Sequence, residues 1–329
     1  MKNLFVLLLA GTFSVLLNSC TTKTKNGLPP STGGIADVLI VMPDQKWETS
    51  VGAAVKSILM AEQEGLNQPE AIFDLHQITA TEFKGLFEKN RKIIRINISD
   101  TVQKDELVAR NNVFSDPQII IDLSAKTDTA AIRLLKDKAL SMIEMLKDVE
   151  RIRIAKAYES TENLKVTGAM KKQFGFYVVL PESYYQAKSE NEFAWYRMEP
   201  AKFSQAIMIY TRDFIDSSQL QPSKIIDYRN FMCKQYIPGE LPGSYMSTDT
   251  IMRPVSYIVP FADDKATEVR GLWRTEGDFM GGPFLSYTFH DKKTNKVVTL
   301  EGYVYYPSND KRDLVMQIEA ILHSYKKVK

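Results

Sequence analysis

The sequence predicts an α+β fold in two α/β-layer domains, the second a mostly antiparallel sheet flanked by helices. At 329 residues, the chain is long enough for two ordinary domains. Its first half alternates continuous apolar runs with helical periods. From Phe174 onward, aromatic residues become dense and strand patterns dominate, and the chain closes on an amphipathic helix.

The first 20 residues, "MKNLFVLLLAGTFSVLLNSC", predict a signal peptide over residues 1–19. A lysine precedes an apolar stretch from Leu4 to Leu17, which is shorter than the roughly 20 residues of a membrane span. The closing "LNSC" resembles a bacterial lipobox. That resemblance implies cleavage before Cys20 and a diacylglycerol on its thiol, which would hold the chain on a lipid bilayer. Plain secretion with a coincidental cysteine is the alternative.

A flexible tether is predicted for residues 20–34, because "TTKTKNGLPPSTGG" is polar and rich in Gly and Pro. Surface-exported lipoproteins of Bacteroidetes-type bacteria resemble one another in an acidic cluster after the lipidated cysteine. This tether has no acidic residue, which favours a position on the periplasmic side of the cell envelope. The sequence leaves open whether the inner or the outer membrane carries the anchor.

The N-terminal α/β domain is predicted over residues 35–160. Its strand candidates are "ADVLIVM", "AIFDLHQI", "RKIIRINIS" and "PQIIIDLSA". A helix follows the first strand, since Val51, Ala54 and Val55 share one face, and a short helix is expected over 79–90. Apolar residues at helical spacing predict one helix of more than 30 residues from Asp128, with no breaker inside it.

The C-terminal domain is predicted over residues 161–329. A first helical piece is followed by strands in "FGFYVVLPESY", "EFAWYRMEP" and "SQAIMIYTRDF", a helix ended by Pro238, and a meander of longer strands. Pro260 places "VSYIVPF" at a sheet edge or a bulge. From about residue 174, this order of elements resembles the sandwich of the PsbP and Mog1-like proteins.

Charge and composition exclude several classes of function. A formal net charge of +2 indicates no general affinity for nucleic acid. Cys20 and Cys233 cannot form a disulfide framework, and Cys233 is expected to be buried and inert. With three separated histidines and no Cys pair, no metal site is predicted. The sequence contains no phosphate loop, G-x-S-x-G or H-E-x-x-H motif, and no cofactor is predicted.

One segment concentrates the residue types of a binding site, "RGLWRTEGDFMGGPFLSY" over 270–287. The glycines could build a loop whose NH groups hold a ligand, with Trp273 as a stacking wall. The alternative is a strand connection that needs glycine for its turns. The candidate ligand- or partner-binding residues are Trp273, Arg274, Asp278, Met280, Gly281 and Gly282.

Several stretches together resemble an uncharacterised lipoprotein family of Bacteroidetes-type bacteria, domain of unknown function 4837. They are the signal-borne cysteine, "VLIVM…W", "GLW…GDFMGGPF", "EGYVYYP" and "LVMQIEAIL". The resemblance is expected to cover the whole mature chain. It implies a compartment and a class, and it brings no activity or catalytic residue.

The first functional hypothesis is a membrane-tethered periplasmic lipoprotein that binds or scaffolds an envelope protein or glycan, without catalysis. The second is a cell-envelope hydrolase with a carboxylate pair, since acidic residues are plentiful. The third is a sensor that binds a small ligand through the glycine-rich segment around Trp273. A pair of carboxylates in a cleft, a flat apolar patch or a pocket walled by Trp273 would distinguish the three.

Overall fold

The computed structural model describes residues 27–262 and 264–328. The predicted signal peptide, the lipid-attachment residue Cys20 and the first part of the tether lie outside the described residues. Within the described ranges, α-helices and two main β-sheets form a mixed α+β structure, which confirms the predicted fold class.

The first half of the described chain contains five strands and four helices. In chain order they are β1 (Asp37–Val41), α1 (Asp44–Trp47), α2 (Ser50–Leu59), β2 (Asp74–Ile78), β3 (Lys92–Ile98), β4 (Glu106–Asn111), β5 (Ile119–Ala125), α3 (Asp128–Asp137) and α4 (Ala139–Glu159). Helix α2 begins where Thr49 caps it by accepting a hydrogen bond from the backbone N of Val51, and its apolar face is buried.

The five strands form one sheet in the order β2-β1-β3-β5-β4, in which only the edge strand β4 runs antiparallel to its neighbour. Alternate residues of β3 face opposite sides. Ile94 and Ile96 join the core under α2, α3 and α4, whereas Ile93 packs with Phe83 and Phe114 on the other face. The carboxyl ends of the four parallel strands therefore meet at one edge of this N-terminal sheet.

The second half contains a larger, antiparallel sheet. Its elements are α5 (Leu164–Phe174), β6 (Phe176–Tyr177), β7 (Tyr185–Glu190), β8 (Phe193–Met198), β9 (Ser204–Asp213), α6 (Pro222–Tyr236), β10 (Tyr245–Thr248), β11 (Val255–Phe261), β12 (Asp264–Glu276), β13 (Gly281–Asp291), β14 (Lys296–Tyr305), α7 (Arg312–His323) and β15 (Lys326–Lys327). The strand order is β10-β12-β13-β14-β9-β8-β7, and β11 pairs with β12 as an edge strand, as Pro260 predicts.

Helices cover both faces of this antiparallel sheet. On one face, Ile207 and Leu300 pack against α5 and α7. On the other, Trp195, Trp273 and Tyr303 pack against α6. The dense aromatic residues of the second half are therefore mainly core, arranged in two layers around one sheet.

The helix expected over residues 79–90 is wrong. The structure has only a 3₁₀ turn at Phe87–Lys89. The Glu82 carboxylate accepts a hydrogen bond from the backbone N of Thr79 at 2.8 Å, and Gly85 has φ of 62°, in the left-handed region. Such local side-chain bonds and a left-handed residue compete with helix formation.

The single helix expected from Asp128 is wrong as well, because Lys138 separates α3 from α4. Both helices contact β5 and the N-terminal core, but α3 also packs on α2 and α4 also packs on α7 of the second half. Lys138 makes the bend at φ −107° and ψ 6°, which most residue types can adopt, so no Gly or Pro marks the position.

The strand expected in "FGFYVVLPESY" is reduced to β6. The next three residues, Val178, Val179 and Leu180, are buried but do not pair with a neighbouring strand. Instead, the backbone N of Val179 donates a hydrogen bond to the Ser324 hydroxyl at 2.7 Å. Strands β4, β7 and β10 were not predicted. The first two are mostly exposed edge strands without apolar alternation, so the usual sequence signal is missing.

Charged groups join the two halves along α4 and α7. The Glu319 carboxylate on α7 accepts from Arg151 Nη1 of α4 at 2.6 Å and from Arg270 Nη2 at 2.9 Å. Burial favours the neutral acid, but the surrounding cations, led by Arg270, outweigh it and hold the pKa of Glu319 well below its usual value.

A second link lies at the start of α7. The Glu70 carboxylate accepts from the backbone N of Lys311 and of Arg312, each at 2.8 Å, and so satisfies free donors of the first turn. Arg312 also pairs with Asp74 at 2.7 Å. These paired groups fix the position of α7 against the N-terminal sheet.

In the described residues, no helix is both long and apolar enough to cross a membrane.

Candidate functional site

The segment predicted as a binding loop is mainly a β-hairpin. Trp273 and Arg274 lie on β12, Gly281 and Gly282 lie opposite them on β13, and the strands connect through residues 277–280. Gly277 has φ of 79°, so this turn needs a glycine there. The wide loop of NH donors considered from the sequence is therefore absent from this described segment.

Gly281 and Gly282 allow close packing between strands. A Cβ on Gly282 would lie 2.1 Å from the carbonyl oxygen of Val304, and one on Gly281 would lie 3.0 Å from that of Trp273. Both contacts are with backbone atoms that cannot move aside without shifting a strand. The physical reason for these glycines is the close approach of neighbouring strands.

Asp278 and Arg274 hold the surface around the hairpin. Asp278 Oδ2 accepts from the backbone N of Glu240 at 3.1 Å and so ties the turn to the loop after α6. Arg274 pairs with Glu276 at 2.6 Å, and both side chains are well exposed. Asp278 therefore has a structural task, and Arg274 contributes a solvated ion pair.

Trp273 and Met280 line a pocket of about 220 Å³ on the α6 side of the antiparallel sheet. Trp273 is only 2% exposed, and its indole Nε1 donates to the carbonyl oxygen of Val304 at 3.1 Å. Its fixed ring forms part of the pocket wall. The other lining residues are Trp195, Arg197, Ser204, Ile237, Pro238, Gly239, Glu240, Met246, Thr275, Tyr303 and Tyr305.

The indole nitrogens of both tryptophans in the wall already have hydrogen-bond partners. Trp195 Nε1 donates to the Tyr303 hydroxyl at 3.1 Å, and Arg197 lies over the Trp195 ring while pairing with Glu199. A sugar would require several free hydrogen-bonding groups around its ring. This wall offers mainly apolar surface, which suits a hydrophobic group.

Two exposed apolar side chains are chain neighbours of residues that line the pocket. Phe279, between Asp278 and Met280 in the hairpin turn, is fully exposed at 103%, and Leu241 beside Glu240 is 51% exposed. Large apolar residues exposed next to an aromatic pocket are typical of an interaction surface.

Residues 163–324 match DUF4837, described as a domain of unknown function. The predicted likeness to a domain of unknown function is thus confirmed for the second half of the chain. Residues 31–159 match a different one, DUF8532, so the expectation that the likeness to DUF4837 covers the whole mature chain is wrong. No curated protein is significantly similar to the chain.

Three solved structures are similar to about half of this chain. The Saccharomyces cerevisiae Ran-binding protein Mog1p is 7% identical with a TM-score of 0.31, over 47% of this chain and 91% of that chain. A mutant of protein Mog1 is 9% identical with a TM-score of 0.29, over 47% and 92%. LpqN of Mycobacterium tuberculosis, described as involved in cell envelope biogenesis, is 9% identical with a TM-score of 0.28, over 46% and 82%. Similarity at this level conveys nothing about activity.

The sequence missed the half of the pocket that comes from β8 and β14 of the DUF4837 region. Trp195 lies in "EFAWYRM", and Tyr303 and Tyr305 lie in "EGYVYY". In both strands, aromatic residues at alternate positions share one face. That spacing was a usable signal, but only the pairing of β14 with β9 and of β9 with β8 brings the two strands together.

A buried ion pair lies beneath the pocket. Glu301 accepts from Arg229 Nε at 2.9 Å and from the Tyr210 hydroxyl at 2.9 Å, and Arg229 Nη2 lies 3.6 Å from the sulfur of the lining residue Met246. Cys233 on the same helix is 1% exposed, and burial raises the pKa of its thiol to about 12. An unreactive thiol agrees with the inert role expected for it.

Acid–base and metal chemistry have little support at this site. Glu240 is the one carboxylate residue among those that line the pocket, whereas a glycosidase needs two facing carboxylates. In the described part of the chain, no group of three or more His, Cys, Asp or Glu residues is placed to hold a metal ion. The arrangement can bind an apolar group, and its lining contains one carboxylate rather than a facing pair.

Proposed function

We propose that this chain is a binding protein, held on the periplasmic side of a bacterial envelope membrane by a lipid on Cys20, that takes an apolar side chain of an envelope protein into its aromatic pocket. The observation that carries the proposal is the pocket walled by Trp195, Trp273 and Tyr303, with the exposed Phe279 next to the lining residue Met280 in the chain.

The dimensions and chemistry of the pocket support this occupant. An apolar cavity of about 150 Å³ holds benzene, so about 220 Å³ has room for one aromatic or large aliphatic side chain. Binding hot spots in protein interfaces are usually such anchors in desolvated pockets, surrounded by contacts that exclude water. Phe279 and Leu241 would supply surrounding contacts.

Photo-cross-linking in intact cells tests the proposal. Phe279 is replaced by p-benzoylphenylalanine, and Leu140, 82% exposed on α4 of the other half, is replaced in the same way as the matched control. We expect a discrete adduct with one envelope protein from position 279 that is absent from position 140. Adding Met280→Glu should abolish it, because a carboxylate would then face the apolar lining.

Identical adducts from both positions, or none from position 279, would contradict the binding proposal. Turnover of cell-wall fragments by the purified protein would favour the hydrolase instead.

The anchor is tested separately. Cys20→Ala should move the protein from the membrane fraction to the soluble fraction, because one residue carries the whole lipid attachment. If the variant still sediments with membranes, the lipobox interpretation is wrong.

A further inference from the structure

A cavity of about 620 Å³ lies at the carboxyl edge of the N-terminal sheet. It opens where residues 41–43 leave β1 and where Asn97 and Ile98 end β3, with Ser124 of β5 beside them. In the strand order, β2, which follows β1 in the chain, lies toward one edge of the sheet. Strands β4 and β5, which follow β3, lie toward the opposite edge, so the direction reverses between β1 and β3. In sheets of parallel strands, ligands bind in the crevice at such a reversal of strand order.

We propose that this cavity binds a small organic monoanion, a carboxylate attached to an apolar body. The apolar part of the ligand would lie against Val41, Pro43 and Phe83, which line the cavity. Val41 is the neighbour of Arg95 in the parallel register and so shares its face of the sheet. The cavity has the size of a pocket for a small organic ligand.

The polar groups of the cavity determine the charge. Arg95 and Lys46 contribute two cations to its lining and Asp122 one carboxylate. Asp128 pairs with Lys46 at 2.6 Å. With Arg110 of β4, three cations among the described residues at this edge stand against two carboxylates. Asp122 also pairs with Arg110 on β4, so the aspartate is shared between two arginines. The local balance is positive, and one negative charge on the ligand would neutralise it.

Several hydrogen-bonding groups at this edge have no partner. In the parallel register, Arg95 lies beside Asp122 and Asn97 lies beside Ser124, so all four side chains share one face of the sheet. Arg95 uses Nε for Asp122 at 2.5 Å and lies over the Phe83 ring, and its terminal nitrogens make no hydrogen bond within the described residues. Within residues 27–262 and 264–328, the amide of Asn97 and the hydroxyl of Ser124 make no side-chain hydrogen bond. A carboxylate could accept from the Arg95 fork and from the Asn97 amide.

The same carboxylate could belong to a free acid or to the end of a peptide. The test is isothermal titration calorimetry of the full-length protein in detergent with hexanoate, phenylacetate and N-acetylleucine, the last standing for a peptide C-terminus. Each acid is compared with its neutral amide. We expect at least one acid to bind with a Kd of about 1 mM or tighter, and its amide to bind at least about tenfold more weakly.

Arg95→Gln and Asn97→Ala should weaken that acid about tenfold to a hundredfold and about threefold to tenfold, respectively. Asn97→Ala removes no hydrogen bond of the folded chain, so its effect reports binding even if Arg95→Gln alters stability. Lys165→Gln on α5 removes an exposed charge from the other half and should leave the affinity unchanged. The proposal is overturned if none of the three acids binds, or if Arg95→Gln and Lys165→Gln have the same affinity as the unchanged protein.

Discussion

Acidification should destabilise the protein through His323, the last residue of α7. Its Nε2 lies 3.1 Å from the Tyr287 hydroxyl, and its ring packs against Phe261. Burial, together with the cation of Arg151, lowers the pKa of His323 from 6.5 to about 4 despite the carboxylate of Glu319. The other charged groups that act on it are Asp148 and Glu144.

The sign and magnitude follow from linkage. Between pH 6.5 and about 4, the unfolded chain binds a proton at this histidine that the folded chain does not, so stability falls as the pH falls. Each pKa unit corresponds to about 1.4 kcal/mol. The loss due to His323 should be near zero at pH 7.5 and reach about 2 kcal/mol at pH 5.

Urea unfolding at pH 7.5, 6 and 5 measures this contribution. In His323→Gln, the decrease in the free energy of unfolding between pH 7.5 and 5 should be smaller by about 2 kcal/mol than in the unchanged protein. His76→Gln, on the exposed part of β2, is the matched control and should keep the full decrease. If His323→Gln and the unchanged protein lose the same free energy of unfolding between pH 7.5 and 5, His323 is not the source of the acid sensitivity.

Three further predictions concern the DUF4837 region. Glu301→Leu should lower the free energy of unfolding by about 3–5 kcal/mol, because it leaves the buried guanidinium of Arg229 unpaired, and Arg229→Met in the same chain should recover most of that loss in a double-mutant cycle. Gly282→Ala should cost at least about 2 kcal/mol in thermal unfolding, because its Cβ would collide with the Val304 carbonyl oxygen, and an unchanged midpoint would contradict the close approach. Cys233 should resist iodoacetamide at pH 8 until urea unfolds the chain, and alkylation of the native protein would show that the thiol is accessible.

Periodicity predicted the buried elements well because one strongly apolar face identifies them. The runs "ADVLIVM" and "KVVTLEGYVYY" contain β1 and β14, and the amphipathic helix before the C-terminus is α7. The bend at Lys138 could not be predicted, because no Gly or Pro marks it and the additional partners, α2 for α3 and α7 for α4, are known only from the tertiary contacts. The exposed edge strand β4 lacks the alternation that burial of one face would impose.

For the pocket, the sequence identified the residues of a single hairpin. Of the candidate residues, Trp273 and Met280 line the pocket. Gly282 allows two strands to approach closely, and Asp278 holds the hairpin turn against the loop after α6. Trp195 comes from a strand far away in the chain, and only the strand order unites it with Trp273. The cavity beside Asn97 has the same origin, since it lies between parallel strands that are separated in sequence.

The most direct test of the central claim is whether the pocket accepts an aromatic side chain. Calorimetric titration with p-cresol, the side chain of tyrosine, compares the unchanged protein with Met280→Trp, in which the larger indole fills the space. We expect the unchanged protein to bind p-cresol with a Kd of about 1 mM, and Met280→Trp to show no measurable binding. Equal binding to both proteins, or none to either, would contradict the claim.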